Sequence, residues 1–181
     1  MPKKRNSAKK RRPRVIVYWL IPAKPQRELL RQIIDILASQ FDAPRFEPHL
    51  TIFATAKDRG SPRKVLQRIK VSPFRLTVGG IAFSSQFTKT LFVRLKNERA
   101  IEKLSSDLAG LTHSPRKSVR DPHVSLLYKK LPTLIKRELA STIRLPFARI
   151  AFDSLKAMRC TSPTRTPAEV RAWRVVATRK F

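Results

Sequence analysis

The chain has 181 residues, 41% of them apolar, enough for one domain of two lobes with a sizeable core. Forty Lys and Arg against twelve Asp and Glu give a net charge of +28, which points to polyanionic partners, RNA foremost, held in a salt-dependent way. Cys160 is the only cysteine, which excludes an intramolecular disulfide and a thiolate metal site and fits a cytoplasmic protein; in a eukaryote the basic first residues fit a nuclear one.

Residues 1–14 carry eight cations and no anion, a composition that predicts a disordered basic leader able to bind RNA non-specifically. The rest of the chain still carries an excess of twenty cations, so the folded body, expected as a single domain over 15–181, is basic too. "VIVYWLIP" then reads as a buried strand stopped by Pro22. It is too short for a signal peptide, no small-residue cleavage pattern follows it, and no apolar run approaches the length of a membrane span.

Between 25 and 41, Leu29, Leu30, Ile33, Ile34 and Leu37 recur at three- and four-residue spacing, one apolar helix face. "HLTIFAT" is the next strand, followed by a short helix over 62–69. "FRLTVGGIAFSS" and "TLFVRL" form a strand pair whose connection includes Gln86 and Lys89. Residues 97–111 are helical, with Ile101, Leu104, Leu108 and Leu111 on one side. Strand "HVSLLY", a helix over 133–143 and strands over 150–160 and 171–178 complete the chain, with "TSPTRTP" as the last loop. The order β-α-β-α-β-β-α-β-α-β-β predicts two α+β halves facing each other.

Two of the three histidines stand in matching frames, Pro48-His49-x-Thr51 and Pro122-His123-x-Ser125. On a strand, alternate side chains share a face, so each frame presents an imidazole and a hydroxyl together and buries Leu50 and Ile52, or Val124 and Leu126, beneath. A two-residue step spans about 6.6 Å, too far for the hydroxyl to be a nucleophile activated by its own histidine. Two frames facing each other suit phosphoryl chemistry instead. One neutral imidazole takes a proton from water and the other gives one to the leaving oxygen, on opposite sides of phosphorus. Thr51 and Ser125 hydrogen-bond the non-bridging oxygens. This chemistry needs no metal and no cofactor. His113, in a polar loop, is expected to be exposed.

At these residues the chain resembles the two-histidine (2H) phosphoesterase superfamily, whose mark is a pair of H-x-(T/S)-x motifs. Within it, "YWLIP", "FDAPRFEPHLTI", "DPHVSLLYKKL" and "MRCTSPTRTPAEVRAWRVVA" are similar, in order, to segments of the plant- and fungal-type cyclic phosphodiesterases, so the resemblance runs from Val15 to Val176. It implies a bilobal α+β fold, with two antiparallel sheets facing a central cleft and helices outside, and a monomer. It implies hydrolysis of ADP-ribose 1″,2″-cyclic phosphate or of a nucleoside or RNA-terminal 2′,3′-cyclic phosphate to a phosphate monoester. His49 and His123 become the acid–base pair, and Thr51 and Ser125 the phosphate ligands. Trp19 and Tyr128 match positions that contact substrate, and Gln86 and Lys89 lie near a hairpin bordering the cleft. An offset of five from His123 points Tyr128 away from the cleft in a regular strand; only the strand's end or a bulge turns it inward. The high charge departs from the family's small substrates. It keeps open an RNA end as substrate, 2′-5′ ligase-like chemistry on RNA ends, and a non-catalytic protein that binds such ends.

Overall fold

A computed structural model describes residues 12–56, 61–96 and 98–181. Most of the basic leader, residues 1–11, therefore lies outside the described residues. Of its last three residues, Arg14 opens the first strand, and Arg12 forms an ion pair with Glu169 (Nη2–Oε1 2.9 Å).

The strands are β1 (Arg14–Pro22), β2 (Leu50–Thr55), β3 (Phe74–Phe83), β4 (Leu91–Leu95), β5 (His123–Leu127), β6 (Arg149–Thr161) and β7 (Arg174–Lys180). The helices are α1 (Gln26–Phe41), α2 (Pro62–Arg68), α3 (Arg99–Leu111), α4 (Thr133–Thr142) and α5 (Pro167–Arg171). The order is the expected one apart from a single 3-10 turn over Phe87–Lys89 in the β3–β4 connection and α5. That short helix replaces the end of the predicted loop and the start of the predicted last strand. Thr166 accepts from the Glu169 backbone N–H while the Glu169 carboxylate accepts from that of Thr166, with Pro167 in the first turn. This reciprocal cap starts a helix, so β7 begins at Arg174 rather than Arg171.

All pairings are antiparallel. One arm is β2–β1–β6–β7 and the other β3–β4–β5. The arms join where β3 pairs with the start of β6, from Phe74↔Phe152 to Thr77↔Arg149, and again at the single pair Leu50↔Val124 between β2 and β5. The two expected sheets are thus arms of one seven-stranded sheet that meet along a narrow seam. Gly79 and Gly80 help the second arm curl. The register of β3 gains one residue between Val78 and Ile81, and Gly80 takes φ +101°, a conformation costly for any residue with a Cβ.

Helices brace that thin seam from outside. α1 packs on β5 as well as β1, while α3 packs on β2 of the other arm. Each buries one stripe: Leu30, Ile34 and Leu37 on α1 and Ile101, Leu104 and Leu108 on α3 as the spacing predicts, joined by Ala38 and Ala109, while Leu29, Ile33 and Leu111 are only half-buried. β1 is buried on both faces. Ile16, Tyr18 and Leu20 enter the main core, whereas Val15, Val17, Trp19 and Ile21 form a second cluster with Met158 on the opposite face.

Candidate active site

The two histidine frames meet at the seam. His49 immediately precedes β2, His123 opens β5, and the residues after them, Leu50 and Val124, are the paired residues that join the arms. Both frames are built alike. The register of β1 with β2 passes from Trp19↔Thr51 to Tyr18↔Phe53, leaving Ile52 as an extra residue; that of β4 with β5 passes from Phe92↔Ser125 to Leu91↔Leu127, leaving Leu126. A β-bulge thus falls at the residue just after the hydroxyl of each frame. It resets the alternation, so Ile52 and Phe53 both enter the core, as do Leu126 and Leu127. Ala54 and Tyr128, five residues after their histidines, then face the cleft. Tyr128 also lies just beyond the end of β5, so the orientation that regular alternation denies it is supplied by the bulge.

Each histidine is held the same way. His49 Nδ1 lies 2.6 Å from the carbonyl oxygen of Glu47, and His123 Nδ1 lies 2.7 Å from that of Asp121. A carbonyl only accepts, so Nδ1 carries the proton in both rings and Nε2 is the unprotonated nitrogen of the neutral form. The intervening Pro48 and Pro122 fix their own φ and hold the preceding residue extended, a local reason for proline in both frames. The acidic side chains of the same residues each bind a lysine. Lys156 Nζ lies 2.6 and 2.7 Å from the Glu47 oxygens, and Lys89 pairs with Asp121. Lys89 also sits 4.4 Å from the centre of the Phe92 ring.

The surroundings of the two rings differ. His49 is 6% exposed and lies flat on Trp19, with centroids 3.6 Å apart and planes 15° from parallel; Phe46 and Trp173 meet it edge-on. Burial, aided by positive charge on His123 and Lys156, pushes its pKa down to about 4. His123 is more open and meets only the edge of Phe92. Burial and Lys89 lower its pKa too, with Asp121 opposing. Partial burial pushes Asp121 up, but Lys89, His123 and Arg94 outweigh it and hold the carboxyl below its usual range.

His49, Thr51, Trp19, His123, Ser125 and Tyr128 all line one cleft of about 300 Å³, together with Gln86 and Lys89. Thr51 is exposed in it. Ser125 is 4% exposed; its hydroxyl donates to the Thr88 carbonyl (2.8 Å) and is hydrogen-bonded with that of Tyr128. Burial pushes the Tyr128 phenol well above its ordinary value, and its ring lies flat on Phe46 at 3.8 Å. His113 is exposed and is not among the residues that line this cleft. Residues not anticipated from sequence are Phe46, Ala54, Lys156 and Trp173; the last sits 5.0 Å from Trp19 and 6.0 Å from Tyr128, edge-on to both. Among the described residues no group of three or more His, Cys, Asp or Glu is placed to hold a metal, and no helix is long and apolar enough to cross a membrane.

Two lobes that bring paired H-x-(T/S)-x strands to a common seam define the chain as a 2H phosphoesterase. Residues 15–181 match the model of the cyclic phosphodiesterase-like protein family, to which the chain belongs. It is 21% identical over 165 residues to a cyclic phosphodiesterase of Arabidopsis thaliana, covering 88% of this chain and 91% of that one. Among solved structures, a phosphoesterase aligns with a TM-score of 0.58 and 16% identity over 93% of this chain and 99% of its own. E. coli LigT complexed with 3′-AMP aligns with a TM-score of 0.56 and 14% identity over 94% and 98%. The fold is shared with both, and family membership makes the chain an enzyme of the phosphoester-hydrolysing 2H type.

Proposed function

We propose that the protein hydrolyses a five-membered cyclic phosphodiester, a nucleoside or RNA-terminal 2′,3′-cyclic phosphate or ADP-ribose 1″,2″-cyclic phosphate, by general acid–base catalysis without a metal. The observation that carries this is the matched pair of imidazoles, each with Nδ1 tied to a carbonyl two residues upstream, which leaves both Nε2 atoms for proton transfer in a cleft they share with two hydroxyls. The complex with 3′-AMP named for the LigT relative makes nucleoside phosphates the first ligands to try.

In this reading the cyclic phosphate lies between the frames. The more deeply buried His49, firmly neutral, accepts a proton from water as the water attacks phosphorus. The phosphate anion raises the pKa of the more open His123, which protonates and gives its proton to the ring oxygen as the P–O bond breaks. For a 2′,3′-cyclic substrate the leaving group is the 3′-oxygen and the product a 2′-phosphate. Thr51 and Lys89 bind the non-bridging oxygens; Ser125 joins them by turning its hydroxyl from Thr88. Trp19 and Tyr128 wall the site and exclude water. The net charge of +28 favours an RNA end over a free nucleotide, the basic leader and surface binding the adjoining phosphates.

Hydrolysis of a nucleoside 2′,3′-cyclic phosphate in EDTA, with the product resolved against 2′- and 3′-phosphate standards, tests the proposal. Turnover that resists EDTA, drops at least about a thousandfold in His49→Ala and in His123→Ala, and leaves a 2′-phosphate is the expected result. No turnover of this substrate, of ADP-ribose cyclic phosphate or of cyclic-ended RNA overturns it in favour of a protein that only binds such ends.

A further inference from the structure

The two halves of the cleft are built on one plan but do not end alike. Ala54 and Tyr128 occupy equivalent places, each five residues after its histidine and each turned inward by a bulge at the residue just after its frame's hydroxyl. On one side the phenol ring of Tyr128, 3% exposed, packs on Phe46 and fills the space. On the other, a methyl group leaves the cleft open over Val17 and Cys160, as far as the segment 161–164.

That segment is a braced wall. Ser162 N–H donates to the Pro13 carbonyl (3.2 Å), and Arg12 Nη1 to that of Pro163 (2.8 Å). Thr164 Oγ1 donates to the Thr161 carbonyl (2.9 Å) and accepts from Trp173 Nε1 (3.4 Å). Every side chain lining this arm is uncharged, and the wall carries three hydroxyls above an apolar floor. Such a surface suits a neutral planar group with hydrogen-bonding edges, and it contrasts with the lysine at the phosphate site. This arm is the uncharged side of the cleft away from Lys89, and it offers a neutral group a direction to extend from the reacting phosphorus.

We propose that the arm between Ala54 and the 161–164 wall is a nucleoside subsite, and that the small side chain at position 54 determines on which side of the phosphate the base lies. This rests on the cyclic phosphodiesterase reading above. The Tyr128 end closes against anything larger than the phosphate, so the substrate enters with one orientation although the catalytic groups are nearly symmetric. That orientation decides which ring oxygen faces the proton donor.

The test compares two substrates in the graded series Ala54→Val, Ala54→Leu and Ala54→Phe. One is a nucleoside 2′,3′-cyclic phosphate; the other is glycerol 1,2-cyclic phosphate, which has the same ring and no base. The ratio of kcat/KM for the nucleoside substrate to that for glycerol cyclic phosphate is expected to fall stepwise, by about 100-fold at the largest folded variant, and Thr164→Val lowers it by about fivefold. A ratio that stays within twofold across the series overturns the subsite. Failure of the enzymatic reading is separate: wild type then turns over neither compound, nor ADP-ribose cyclic phosphate or cyclic-ended RNA. The arm is in that case read by calorimetry, as loss of nucleoside 2′-monophosphate binding in Ala54→Leu with inorganic phosphate binding kept. Equal loss of both ligands, or of neither, also overturns the proposal.

Discussion

Burying His49 neutral against Trp19 makes the fold sensitive to acid, by an amount the structure sets. The unfolded chain protonates this imidazole near its ordinary pKa of 6.5, the folded protein only near 4. The contribution of the group is therefore complete above pH 6.5, is lost as pH falls from 6.5 to 4, and changes no further below. A difference of that size corresponds to about 3 kcal/mol, most of it gone by pH 4.5. Urea unfolding of wild type and His49→Gln at pH 7.5 and 4.5 isolates the effect, since every other carboxylate and histidine is common to both. The stability gap is expected to move by about 2–3 kcal/mol in favour of the variant on going to pH 4.5. In parallel, NMR titration of the ring proton that disappears in His49→Gln should give a midpoint near 4, and Trp19→Leu should raise it. A gap independent of pH, or a midpoint at 6 or above, would refute the assignment of burial as the controlling force.

The remaining predictions concern the reaction. Thr51→Ala is expected to lower kcat by about 100-fold with little change in melting temperature, because its hydroxyl is exposed to the cleft. Ser125→Ala should also destabilise by about 1–3 kcal/mol, because it leaves the Thr88 carbonyl without its donor; equal melting temperatures would argue against that role. Lys156→Met removes a cation and leaves the Glu47 carboxylate beside His49, so the acid limb of the kcat/KM–pH profile should shift to higher pH. A substrate with sulfur in place of the 3′-bridging oxygen needs no proton on its leaving group; it should restore turnover to His123→Ala and not to His49→Ala, and the reverse would exchange the two roles. On a cyclic-ended oligoribonucleotide, kcat/KM should fall steeply with salt, by about 0.7 in log–log slope per phosphate contacted, while on a mononucleotide it stays within about twofold.

Much of this architecture was legible in local pattern. The helix stripes of α1 and α3 followed from the spacing of Leu30, Ile34 and Leu37 and of Ile101, Leu104 and Leu108, because a 3.6-residue period leaves a repeating trace. The paired histidine frames could be read because both are contiguous. The reciprocal cap on α5 was also present, as Thr166-Pro167-Ala168-Glu169, but the surrounding Pro and Thr masked it as loop. Tyr128 shows where alternation alone misleads. A bulge is a matter of two strands in register, and nothing in β5 by itself marks Leu126 as the extra residue.

The sequence by itself determined the inventory: the order of the strands and of the first four helices, the two imidazoles and two hydroxyls, and the kind of chemistry they can perform. Those features depend on neighbours along the chain and on what each side chain is. Tertiary structure decided how that inventory is used. Joining the arms at Leu50↔Val124 set the histidines in one cleft, and the Glu47 and Asp121 carbonyls fixed their tautomers. Trp19, Phe46 and Trp173 made one imidazole drier than the other. The pairing of Lys156 with Glu47 spans 109 positions, and the unlike ends of the cleft arise from Ala54 and Tyr128 on separate arms. Desolvation and charge act through space, between groups whose separation in sequence carries no trace of their contact.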